Sequence, residues 1–101
     1  MTLSFEVHFT EDAEKDIRDI LQYTREHWGE YQHDDYSAVL ESAFNRLSRF
    51  PFSGKVLTSQ FPKRRMLPVR EHLILYVVED DVVTIAHLIH KRQDIALFLT
   101  E

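Results

Sequence analysis

The chain has no cysteine in its 101 residues. Disulfides and thiolate metal sites are therefore ruled out, and a reducing cytoplasm is the expected location. It has only two glycines, Gly29 and Gly54, too few and too far apart for a glycine-rich phosphate loop. No apolar run approaches the roughly 20 residues that a membrane span needs. Residues 1–12 carry Glu6, Glu11 and Asp12 and no basic leader, so no signal peptide is expected. Internal repeats and low-complexity tracts are missing too. What remains is a 44% hydrophobic sequence long enough for one domain, 1–101, with a core of its own.

Charge is scarce in one sign and then in the other. Residues 1–50 hold 11 acids against 5 bases, while residues 51–101 hold 6 acids against 7 bases. Between Lys55 and Arg70 stand five bases (Lys55, Lys63, Arg64, Arg65, Arg70) and no acid. With a net charge of −5 the whole molecule repels a polyanion at long range, so direct nucleic-acid binding is doubtful, yet one face can still be cationic. The plainer account of that run is a solvated loop and strand edge.

Leu3, Phe5, Val7 and Phe9 alternate with polar residues, the period of a strand with one buried face. Thr10 offers an N-cap hydroxyl, with Glu11, Asp12 and Glu14 placed to suit a helix dipole. Ala13, Ile17, Ile20, Leu21, Thr24 and Trp28 then recur at helical spacing, which predicts an amphipathic helix of about four turns ended by Gly29. A second helix is expected from about Glu30, with Tyr36, Val39, Leu40, Ala43, Phe44, Leu47 and Phe50 inward and Pro51 as its stop. The short link between the two makes an antiparallel helical hairpin. Pro51–Gly54 reads as a turn and 55–63 as a loop.

A strand over 64–69 comes next, with Pro68 demanding a free edge or a bulge. Leu73–Val78 and Val82–Ile89 then form a hairpin across the acidic turn Glu79–Asp80–Asp81. The tail after Asp94 reads as a short closing helix or a fourth edge segment. The sum is an α+β domain: an N-terminal strand, a helical hairpin, then a three-stranded antiparallel sheet.

Particular residues go further than the pattern. They are Thr10-Glu-Asp-Ala-Glu-Lys-Asp-Ile17, Tyr23-Thr with Trp28-Gly29, Phe44 with Leu47, Phe50-Pro51 with Gly54, and Arg65-x-Leu-Pro-Val69. The series ends with His72-Leu-Ile-Leu-Tyr-Val-Val and Ile89-His-Lys-Arg-Gln-Asp94. In this order the chain resembles the ParE/RelE toxin superfamily of type II toxin–antitoxin systems, the ParE-like branch in particular, over nearly its whole length. The resemblance implies the toxin half of a plasmid-stabilising pair. Such a toxin acts by binding and poisoning DNA gyrase, without enzymatic chemistry or a cofactor, and is neutralised by a ParD-like antitoxin. The assembly it implies is a homodimer or a toxin–antitoxin hetero-oligomer.

Two other functions stay open on the residues. A RelE-like ribosome-dependent ribonuclease needs a base, an acid and cations around one phosphate. His87, His90, Arg65 and Arg92 are the candidates, although His87 reads more plainly as a strand residue. Against cleavage, no tyrosine follows Tyr76. A non-toxic binding module of the same fold is the third. For target binding the candidates are Arg65, Arg70, His90, Lys91 and Arg92, read as one basic patch, although strand geometry threatens to put Arg65 and Arg92 at opposite ends. For the antitoxin groove they are Tyr23, Trp28, Tyr31 and Tyr36. Trp28, in phase with Ile17 and Leu21, is better explained by core packing. No metal site is expected: His87 and His90 point to opposite faces of a strand, and His27 and His33 have no recognised ligand spacing.

Overall fold

Thr10 is where strand gives way to helix, and it anchors the helical layer to the sheet. In the computed structural model, which describes residues 4–98, β1 (Glu6–Phe9) runs directly into α1 (Glu11–Trp28). The Thr10 hydroxyl accepts from Ala13 N (3.0 Å) and donates to Ala86 O (2.8 Å), so one side chain caps the helix and ties it to the sheet. At 18 residues α1 is one turn longer than its periodicity suggests. Leu3 and Leu99, parts of the expected first strand and tail, lie outside the described residues.

α2 (Glu30–Arg49) begins immediately after Gly29. That glycine has φ 90°, a value strained for an L side chain, and this permits the reversal within one residue. Four further strands complete the sheet: β2 (Lys55–Val56), β3 (Arg64–Val69), β4 (His72–Glu79) and β5 (Val82–His90), with a short 3-10 helix over Ile95–Phe98. The closing segment is thus helical, and the stretch expected as loop contains a two-residue strand. The sheet order is β1-β5-β4-β3-β2, antiparallel except for the β1–β5 pair. β2 covers β3 only at Met66 and Arg65, which leaves Pro68 on a free edge. Asp80 and Asp81, both at positive φ, make the tight hairpin turn.

Both helices pack on one face of the sheet. Ala13, Tyr36, Leu40, Ala43 and Leu47 meet Leu67, Val69, Ile74, Tyr76, Val78, Val83, Ile85 and Leu88 there. The inward positions of β5 change phase midway, from Val83 and Ile85 to Leu88. The cause is a bulge: Tyr76 pairs with Ile85 and Leu75 with His87, so Ala86 is the extra residue. Beyond it His90 turns to the helix side beside His72, its pairing partner, while His87 and Ile89 face away with Leu75.

Candidate binding groove

The helical hairpin reaches past the end of the sheet, and a groove of about 530 Å³ opens under it. Its walls are Tyr23, Thr24 and Trp28 of α1, Gln32 and Tyr36 of α2, and Arg70, Glu71, His72 and His90 at the ends of β3, β4 and β5. Trp28 is 70% exposed, contrary to its expected place in the core. The phase argument fails because the last turn of α1 has this groove beneath it, not strands. Tyr31 is 80% exposed just beyond, and Tyr23 stacks on His27 at 3.9 Å.

Tyr36 forms the floor. It is 8% exposed, and its hydroxyl lies 2.5 Å from His72 Nδ1 and 3.3 Å from Val69 O. Burial pushes its phenol up to about 12. The same burial, reinforced by the neighbouring charge of His90, holds the His72 imidazole below its ordinary 6.5. The two imidazoles meet edge to face, with ring centres 5.5 Å apart. Arg70 sits at the rim, paired with Asp35 (2.9 Å) and 5.7 Å from the Tyr36 ring centre. The groove therefore presents aromatic faces backed by imidazole and guanidinium groups, and it suits a segment carrying apolar side chains and negative charge.

Four of the five expected target contacts gather at this end. His90 and Arg70 line the groove, Lys91 pairs with Glu71 (3.2 Å) beside it, and Arg92 comes next on an exposed turn. Arg65 does not join them, which corrects the single-patch expectation. It lies at the opposite end of β3, roughly 16 Å from Arg70 by strand rise. Its guanidinium donates to Gly54 O (2.7 Å) and Phe52 O (3.2 Å).

The residues considered for RNA cleavage are dispersed as well. His87 points away from His90, lies against Phe98, and is held by Asp16 (3.3 Å) and Asp12 (3.8 Å) of α1. Asp16 also accepts from Leu88 N (3.0 Å), taking over where β1 stops pairing with β5. Glu30, His33 and Asp34 form the one acid–imidazole group of metal-site dimensions among the described residues. Arg25 already fills it, at 2.5 Å from Glu30 and 3.3 Å from His33. Sequence reasoning missed His72, because only the register places it opposite His90.

Residues 7–95 match the model of the ParE toxin of the type II toxin–antitoxin system parDE. The chain belongs to the ParE toxin family. Among ParE relatives, the Toxin ParE of Escherichia coli is 30% identical over 93 residues, covering 91% of this chain and 90% of its own. Two solved structures share the fold. One is from the chromosomal ParDE system of Pseudomonas aeruginosa (TM-score 0.72, 15% identity, 85% of this chain and 95% of that one). The other is from the RelBE2 toxin–antitoxin complex of Mycobacterium tuberculosis (TM-score 0.67, 24% identity, 92% and 98%). No helix among the described residues is long and apolar enough to cross a membrane.

Proposed function

We propose that this ParE-family toxin acts in the bacterial cytoplasm by gripping DNA gyrase, without bond-breaking chemistry of its own, and that a ParD-like antitoxin silences it through the groove. The observation that carries this reading is the dispersal of the reactive groups. His87 and His90 face opposite sides of the sheet, and Arg65 lies at the far end from Arg92. General acid–base cleavage needs its groups within hydrogen-bond reach of one phosphate. A recognition surface needs only a well-packed anchor and complementary charge.

In this reading Arg70, His90, Lys91 and Arg92 contact the target. An antitoxin segment lays apolar side chains against Tyr23, Trp28, Tyr31 and the edge of Tyr36, in the manner of a helix in a groove. Because Arg70 and His90 line that same groove, a bound antitoxin covers part of the target surface, and neutralisation results from occlusion.

The test uses purified protein in two assays side by side. Gyrase supercoiling should be inhibited, and ribosome-bound message in a translating extract should stay intact. Cut message with unimpaired supercoiling would replace this account with RelE-like cleavage. Replacing both Trp28 and Tyr31 by Ala should leave toxicity in place while weakening antitoxin rescue, by about 2 kcal/mol of binding or ~30-fold.

A further inference from the structure

The opposite end of the molecule carries a second surface that the groove and its ligands leave untouched. Phe50 and Phe52, on the turn after α2, are 62% and 60% exposed. They line an open cavity of about 740 Å³ with Arg46, Arg49, Pro51 and Ser53. A second cavity of about 550 Å³ continues from it, sharing Arg46, Arg49 and Phe50 and adding Ser4, Ser42, Asn45 and Ser48. Among the described residues no carboxylate lines either one, in a protein of net charge −5. Arg46 and Arg49 form no ion pair among the described residues. Arg65, the cation that sequence reasoning assigned to the other end, stands over the Phe52 ring at 5.0 Å.

The turn that carries these rings is held in place. Tyr76, 1% exposed, donates to Pro51 O (2.9 Å) and accepts from Gly54 N (2.8 Å), so one buried hydroxyl fixes both ends of the turn. Arg65 fixes its outer side through Phe52 O and Gly54 O, and the Phe52 ring also meets Phe5 edge to face at 6.2 Å. Exposed aromatics on a clamped turn lose little freedom on binding, which is the condition for an interaction anchor.

We propose that this turn face is a docking site for an acidic, apolar peptide segment of a protein partner. The Phe50 and Phe52 rings would take its apolar side chains, and Arg46, Arg49 and Arg65 its carboxylates. Charge complementarity chooses the occupant: the described lining has cations and no acid. Nucleic acid is the weaker fit, because tight phosphate binding draws on some 6–10 contacts and this face offers three arginines. α2 spans about 30 Å between the two ends, so the site can be filled while the groove is occupied.

The test titrates isotopically labelled protein with a short synthetic peptide of Asp, Glu, Leu and Phe and follows amide signals by NMR. Residues 46–54 should shift, while the indole N–H of Trp28, unique in the chain, should stay still. The double variant Arg49→Glu with Phe52→Ser should weaken binding about tenfold or more, and Trp28→Ala should not change it. Both variants alter exposed side chains, and an unchanged amide spectrum away from the substitutions shows that each still folds. Four results would overturn the proposal: equal binding of a Lys-for-acid version of the peptide, tighter binding of a single-stranded oligonucleotide, movement of the Trp28 signal in place of 46–54, or self-association that Arg49→Glu abolishes.

Discussion

Each end of this protein is organised by one buried tyrosine, and the two are used differently. At the turn end, the Tyr76 hydroxyl has only backbone partners, Pro51 O and Gly54 N, and both of its hydrogen-bonding roles are filled. At the hairpin end, the Tyr36 hydroxyl faces His72 Nδ1 and Val69 O with a single proton to give. Its nearer partner is an imidazole whose own state varies with pH. One end is locked by backbone groups that carry no titrating proton, and the other is tied to an imidazole whose pKa burial has lowered. A fixed turn suits presentation of exposed rings. An adjustable floor suits the partner-binding role proposed for the groove.

The sharpest way to break this contrast is to attack the lock. A Cβ at Gly54 would run into the Tyr76 hydroxyl and stand 2.8 Å from the Met66 carbonyl. Gly54→Ala should therefore cost ~3 kcal/mol, since the turn must shift and its hydrogen bond to Tyr76 goes with it. Tyr76→Phe leaves the Gly54 N–H and the Pro51 carbonyl buried without this partner and should cost ~2 kcal/mol. Thermal unfolding reads both, at roughly 4–8 °C per kcal/mol for a domain of this size. A shift of a degree or less in either variant would mean that the turn is not clamped.

Much of this layout is legible in the residues. The Thr10 cap, the Gly29 break, the Asp80–Asp81 turn and the two helical stripes short of their last members are local signals that stand where their chemistry puts them. Phe50, expected inward, is instead the exposed C-cap of α2, where the helix has already ended. What escapes the sequence is set by register. The Ala86 bulge has no local marker, yet it sends His90 to the helix side and pairs it with His72, so the groove's titratable floor could not be read in advance. Trp28 misleads for a related reason: helical phase says which way a side chain points, and only the sheet's extent says whether anything lies there. Arg65 and Arg70 are neighbours in sequence and sit at opposite ends of a strand, so composition alone merges two surfaces that the fold keeps apart.

Relaxing the hairpin end should cost less. Tyr36→Phe removes a hydrogen bond at a groove that water can reach, and ~1 kcal/mol is expected, about half the effect of Tyr76→Phe. Equal losses would erase the distinction between the two tyrosines. A pH series sharpens it further. His72 is held below 6.5 in the folded protein, so just below that pH the unfolded chain takes up a proton that the folded one refuses. This contribution to stability is fully present above about 6.5 and declines as pH falls toward the folded value. Wild-type unfolding midpoints should drop across that window. His72→Gln, which keeps an acceptor for Tyr36, should flatten the slope by the His72 share. Tyr76→Phe should leave the slope as it is.

The smallest effects belong to the exposed rings, and even these should differ between the ends. Trp28 stands 70% exposed over the groove, so Trp28→Ala should change stability by no more than ~0.5 kcal/mol. Phe52 is nearly as exposed but touches the Phe5 ring and lies under Arg65, so Phe52→Ala gives up an aromatic pair and a cation–π contact and should cost ~1 kcal/mol. Urea unfolding midpoints order the two. If Trp28→Ala proves the more damaging, the indole is packed as its helical phase suggests, and the groove is closed in the free protein. If the order holds, the exposed indole does little for the fold, as expected of a side chain that serves binding.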